Sequence, residues 1–458
     1  MIQTSAIFLF LNYCLGKKVD MSMVVAKIDW RQLYNFASRQ ALLGFCFDGI
    51  ERLTKEFSEE LKQNPMGRDL LMTWMGAAQQ IRRQNMKVNA VAGKLYSKFR
   101  EDGLRCCILK GQGNALMYPN PYSRTPGDID VWVNASREDI TEYAKRHFNL
   151  EDDIRFHHLE TTMDGVPVEL HFFPCSMNNP LYHARLQKWF KRNADLQCSN
   201  VVSVPDGIGE IAIPTTAFNV IYQLTHLYHH FFDEGIGMRQ IIDYFLVVNN
   251  FSKNVFLDTD FSNQPVNFSN HPVPLSKEGS TFSPSPSSSG SGDVTAPSRC
   301  SEPLRSKDGG PSKVSPDCAG WDRLSIEGDN SAGSATAVTS SASTALVVVQ
   351  RELKYLGLWK FAGAVMYVLH EALGLSEEKM IAPMDEKRGK LLLEEILNGG
   401  NFGKHFTKYG HFTQQGIAKK YFLKIWRNMH FVRYYPAEAL SEPIFRTWHF
   451  FWRMKNKK

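Results

Sequence analysis

The sequence predicts an α+β fold: a small mixed sheet flanked by N-terminal helices and by a helical C-terminal domain. Three observations carry this. Short apolar runs near 106–109, 129–133 and 166–172 have strand character and are bounded by Gly, Pro and Asn. On either side, apolar residues recur at helical spacing. The chain has 458 residues, 43% hydrophobic and 12% aromatic, which suffices for two or three domains with a sizeable core.

Residues 1–22 read as a frayed extension or an over-called start. Ala6-Ile7-Phe8-Leu9-Phe10-Leu11 is short, no basic residue precedes it, and Lys17 and Lys18 follow it. Neither a secretory signal nor a membrane span is expected there, and no other segment reaches about 18 continuous apolar residues. A helical region follows over 23–103. Asp29 is placed to cap a helix that starts at Trp30. Over 68–100 the helical pattern sets Arg82, Arg83, Lys87 and Lys94 on a basic face. That face reads as solvated, with a nucleic-acid groove as the alternative.

Residues 104–204 are expected to form the sheet core. Cys106 to Leu109 is an apolar strand, and Lys110-Gly111-Gln112-Gly113 turns it into a helix. Glycines at such a junction let backbone N–H groups approach an anion, and Lys110 adds a point charge. Gly127-Asp128-Ile129-Asp130-Val131-Trp132-Val133 places two carboxylates one residue apart on a strand. Alternation puts Asp128 and Asp130 on one face and Ile129, Val131 and Val133 on the other. Two like charges on one face call for a hard divalent cation such as Mg²⁺. Ser136, with Asp139 three residues later, fits the cap of the next helix. In Val168-Glu169-Leu170-His171, Glu169 and His171 share a face, so Glu169 is the candidate third carboxylate.

The helical domain is expected in two parts, 205–250 and 343–458. In the first, His226, His229 and His230 fall on one helix face, either as packed histidines or as zinc ligands. Gly235-Ile236-Gly237-Met238-Arg239 reads as a turn that offers Arg239 to phosphate, or as one stabilised by an Arg239–Asp243 pair. Residues 251–342 are crowded with Ser, Pro, Gly and Thr and are expected to be a disordered insertion. Beyond them, Leu346–Leu373 and Asp385–Leu397 are helical by period, the second stopped by Asn398-Gly399-Gly400. The aromatic and basic end, Arg446 to Lys458, reads as a packed helix with a solvated tail, or as a weak contact with a membrane surface.

A net charge of +6 is mild at this size and does not demand a nucleic-acid partner. The eight cysteines include no C-x-x-C pair and no regular framework, which implies a reducing, cytoplasmic setting.

Several of these blocks resemble the DNA polymerase beta-like nucleotidyltransferase superfamily, and more narrowly its bacterial group of uncharacterised nucleotidyltransferases. They are Leu109-Lys110-Gly111, Tyr118-Pro119, Arg124, Gly127-Asp128-Ile129-Asp130 and Val168-Glu169-Leu170-His171. The blocks His226 to Phe231, Gly235 to Gln240, and Asp243 extend the likeness, which covers about 28–250 and resumes near 345. The usual first motif of the superfamily is Gly-Gly or Gly-Ser; Gly111-Gln112 stands here, without the serine.

The resemblance implies transfer of a nucleoside monophosphate from an NTP to a small molecule, protein or RNA, releasing pyrophosphate. Asp128, Asp130 and Glu169 would hold Mg²⁺, with Glu169 also a candidate general base. Lys110, Gly111 and Gly113 would steady the triphosphate, with Arg124 and Arg239 as secondary contacts. A non-catalytic nucleotide sensor or partner-binding protein on the same fold is the alternative, and a histidine-metal hydrolase built on His226 and His229 is a third reading.

Overall fold

The N-terminal extension is a helix rather than a frayed end. The computed structural model describes residues 2–150, 155–254, 335–406 and 417–456. In chain order, α1 (Ile2–Cys14), α2 (Ser22–Val25), α3 (Trp30–Arg39), α4 (Leu43–Glu56), α5 (Ser58–Gln63) and α6 (Arg68–Glu101) come first. Phe10, Leu11 and Tyr13 of α1 are buried, and Tyr13 donates to Glu56 at 2.8 Å. The short apolar run is thus core-forming surface, and burial supplies the driving force for its order. Asp29 caps α3 as expected, accepting from the Gln32 amide at 2.9 Å.

The core begins with β1 (Cys106–Leu109) and α7 (Gly111–Ala115), then β2 (Ile129–Val133), α8 (Arg137–His147), β3 (His158–Met163) and β4 (Val166–His171). Ser136 caps α8 by accepting from the Asp139 amide. The sheet is mixed, in the order β1-β2-β4-β3; β2 and β4 run parallel, and the outer pairings are antiparallel. Its apolar face (Cys106, Ile108, Ile129, Val131, Val133, Val168, Leu170) joins one core with Val88, Leu95 and Phe99 of α6 and Ile140 of α8. On the other face Trp132 stacks on Phe218, with centroids 6.0 Å apart and rings inclined by 13°, and enters the larger helical core.

After the sheet come α9 (Pro180–Ser199), a two-stranded ribbon of β5 (Val201–Val204) and β6 (Gly209–Ala212), α10 (Thr216–Asp233) and α11 (Met238–Asn254). They are followed by α12 (Ala335–Tyr355), α13 (Trp359–Leu373), α14 (Glu386–Gly399), α15 (Ile417–Met429) and α16 (Pro436–Asn456). Most of the expected insertion, 255–334, lies outside the described residues. The helix expected over 346–373 is two helices, because Gly357 takes φ +74° and lies against the Tyr182 ring. The end of α14 falls where the glycines stop it, with Gly400 at φ +65°.

The C-terminal aromatics pack inward in part: Phe445, Trp448 and Trp452 of α16 surround Phe156 with centroids 6.0, 5.1 and 5.7 Å away. Among the described residues, no helix is long and apolar enough to cross a membrane.

Candidate functional site

The sheet register gathers the acids. Asp130 is opposite Glu169, which is opposite Glu160; one step along, Trp132 is opposite His171, which is opposite His158. Side chains two residues apart share a face, so Asp130, Glu169, Glu160, His171 and His158 line a single face. Asp128, just ahead of β2, is exposed at the rim and hydrogen bonds to Glu169. The sequence places acids here because the opposite face of the same strands is committed to the apolar core.

Asp130 is buried, with Lys110 Nζ 2.9 Å and His171 Nε2 3.1 Å from its Oδ1. His171 Nε2 also lies 3.2 Å from Glu169 Oε2. Burial opposes ionisation of both acids, but these neighbours outweigh it. Lys110 and His171 hold Asp130 well below the usual carboxylate range, and His171 holds Glu169 at about 2. In return, against burial, the two acids lift His171 to about 9. Asp128 is less compensated: the charge on Asp130, then loss of solvent around the carboxyl and the charge of Glu169, push it up to about 7 against the pull of Lys110. Three carboxylates thus face two cations, and the excess negative charge is relieved by a proton held on Asp128 until a metal displaces it. A hard divalent ion with oxygen ligands fits that donor set. Asp130, Glu169 and His171 each bring one ligand atom within 4.8 Å of the others.

Lys110 reaches Asp130 from a backbone at φ +50°, ψ −125°, sparsely populated for a residue with a side chain. Its ammonium also sits 2.8 Å from His226 Nε2, which ties the β1 turn to α10, and His226 in turn is 3.0 Å from His230. Gly113 faces inward: an added Cβ would meet Ile213 Cγ2 at 3.0 Å, so this glycine serves packing of α7. Beside it, Gln112 donates to Asn89, and Asn114 pairs with Gln223.

The two expected arginines part company. Arg124 is buried and committed: it donates to both oxygens of Asp243 at 2.9 and 2.8 Å, and Tyr118 donates to the same carboxylate at 2.7 Å. Nε and one terminal nitrogen of the guanidinium are thus committed to Asp243, which gives Arg124 a scaffold role. The Arg239–Asp243 pair gives way to the Arg124 pair. Arg239 donates to the Thr125 carbonyl at 3.0 Å, lies over the Phe402 ring, and leaves Nε buried without a hydrogen-bond partner. Burial, then the charge of Arg124, lower its pKa.

Sequence reasoning missed β3, and with it His158 and Glu160. The signal was present. Alternation over His158–Met163 leads into Asp164-Gly165, with φ of +51° and +71°, a two-residue hairpin turn closing onto Val166. Glu160 accepts from Arg155 Nε at 2.7 Å. The groups of three or more His and acid ligands among the described residues draw on His157, His158, His171, Asp130, Glu160 and Glu169; none contains His226 or His229. Burial lowers the pKa of both of those histidines.

The model of a family described as uncharacterised nucleotidyltransferase matches residues 26–262. No curated protein and no solved structure matches the chain.

Proposed function

This chain belongs to the uncharacterised nucleotidyltransferase family, and from that premise we propose that it moves a nucleoside monophosphate from an NTP to an acceptor hydroxyl or phosphate, releasing pyrophosphate. The observation that carries the reading is the gathering of three carboxylates, with Asp130 opposite Glu169 in the sheet and Asp128 hydrogen bonded to Glu169 at the rim. Those three are the ligands for Mg²⁺, which when bound supplies positive charge to the triphosphate and acidifies the acceptor hydroxyl.

The remaining roles belong to the chain itself. Lys110 moves its charge from Asp130 to the triphosphate. Arg239, buried and with Nε left without a hydrogen-bond partner, is the second cation offered to the phosphates. Glu169, held near 2 by His171, is a ligand and a poor proton acceptor, so the general-base role expected for it is not assigned. Gly111 opens the turn beside Lys110 with φ +29°. The six described cysteines are unpaired and buried, in keeping with the cytoplasmic setting that an NTP-using enzyme needs.

The test is thermal stabilisation by ATP, GTP, CTP and UTP, with and without Mg²⁺, for the intact chain and Asp128→Asn. A ligand at a hundredfold its dissociation constant adds about 2.7 kcal/mol. A Mg²⁺-dependent shift that vanishes in the variant is expected, followed by pyrophosphate release from an acceptor pool. Stabilisation without pyrophosphate under any acceptor condition would instead favour a nucleotide sensor. No Mg²⁺-dependent shift with any NTP would overturn the reading.

A further inference from the structure

We propose that His157, His158 and His171 form a second metal site, nitrogen-rich and suited to a transition ion of the zinc class, beside the carboxylates. One ring nitrogen from each lies within 4.8 Å of the others. The ring centroids are 4.3 Å apart for His157–His158, 5.1 Å for His158–His171 and 5.6 Å for His157–His171. Register makes the close pair, because His158 on β3 is directly opposite His171 on β4. Extended antiparallel strands hold such a pair at fixed separation without help from loops.

The second observation is independent of that grouping. His158 and His171 are each 3% exposed, and Nδ1 of each is buried with no hydrogen-bond partner. Two orphaned ring nitrogens in one cluster are costly in a folded interior, where nearly every polar atom is satisfied. The opposite nitrogens are engaged. His158 Nε2 lies 3.3 Å from Glu160 Oε1, and His171 Nε2 lies 3.1 Å from Asp130 and 3.2 Å from Glu169.

A carboxylate on Nε2 fixes the ring and leaves Nδ1 for a metal, the carboxylate–histidine–metal arrangement of ligand spheres. On His171 the Nδ1 proton leaves as the ion binds, since metal competes with protons for that lone pair. His158 Nδ1 is also 3.3 Å from Glu169 Oε2, yet out of line for a hydrogen bond.

Three imidazoles select Zn²⁺, Co²⁺ or Ni²⁺ over Mg²⁺, which prefers oxygen, and leave a fourth position open. The two sites thus sort ions by chemistry: a hard ion on the three carboxylates, a borderline ion on the three rings. This inference does not depend on the proposed transfer reaction.

The experiment uses the full chain, stripped with chelator and titrated with Co²⁺, whose tetrahedral nitrogen complexes absorb intensely in the visible. About one ion per chain is expected, displaced by Zn²⁺ and retained in excess Mg²⁺. Affinity falls at least about tenfold in His157→Gln and in His158→Gln and is kept in Asp128→Asn. Absent absorption in the intact chain, loss of the signal to Mg²⁺, or a signal surviving both histidine variants would each overturn the site. The competition with Mg²⁺ needs no variant, so a misfolded substitution cannot mask the answer. The Mg²⁺–NTP shift of His157→Gln, measured alongside, reports on the transfer reading separately.

Discussion

Arg124 and Asp243 form a two-point ion pair at 2.9 and 2.8 Å, with side chains 5% and 6% exposed. The pair clips the segment leading to Asp128 onto α11. Truncating one partner of such a pair strands a buried charge, so Arg124→Ala is expected to cost about 3–5 kcal/mol. Arg124→Lys should recover little of it, because an ammonium cannot reproduce the two parallel bonds. Urea and thermal denaturation measure both. Wild-type stability in Arg124→Ala, with nucleotide binding alone lost, would return Arg124 to the phosphate role expected from sequence.

Arg239 should behave in the opposite way. It has a carbonyl and an aromatic ring for partners, with Nε unsatisfied, so the fold gains little from its charge. Arg239→Met is expected to change stability by no more than about 1 kcal/mol while weakening NTP binding about tenfold or more. Nucleotide titration followed by intrinsic fluorescence decides the point. Unchanged affinity would remove Arg239 from the site.

What was legible in the sequence follows from the range of each signal. Alternation is local, so the face shared by Asp128 and Asp130, and that shared by Glu169 and His171, could be read directly. Caps are local too: Asp29 and Ser136 sit where the sequence puts them. The Arg124–Asp243 pair spans 119 residues and leaves no trace in spacing, whereas Arg239 and Asp243 sit at helical spacing and invite the wrong pairing. Hairpin β3–β4 is signalled by Asp164-Gly165, but its polar strand, with His158 and Glu160, lacks the apolar run that marks β1, β2 and β4. The order of α1 depends on partners far along the chain, such as the Ala372 carbonyl that accepts from Asn12 at 3.1 Å.

The two strand aspartates are expected to respond differently to amidation. Asp130 neutralises Lys110 and His171, so Asp130→Asn leaves both cations short of a partner and destabilises the fold along with any activity. Asp128 is repelled by Asp130 and exposed at the rim. Asp128→Asn should therefore abolish Mg²⁺-dependent turnover while raising metal-free stability at pH 8 by no more than ~1 kcal/mol after solvent screening. Melting curves without metal make the comparison. A large loss of stability in Asp128→Asn would mean that its carboxylate is a structural partner rather than the open ligand.

The same carboxylate sets a pH dependence with a definite sign. Asp128 is raised from 3.8 to about 7 in the fold, so its contribution to metal-free stability is whole below its unfolded value and lost as pH rises through about 7. A divalent ion needs the deprotonated form, and binding releases the proton. Affinity for Mn²⁺, used as a spectroscopic stand-in for Mg²⁺, should therefore rise about tenfold per unit from pH 5.5 toward 7 and level off above it. Paramagnetic resonance of free Mn²⁺ follows this without nucleotide, whose own phosphate titrates nearby. In Asp128→Asn the slope should flatten across that window. An affinity independent of pH from 5.5 to 8 in the intact chain would show that the ion does not need the Asp128 carboxylate, and would move the metal onto Asp130 and Glu169 alone.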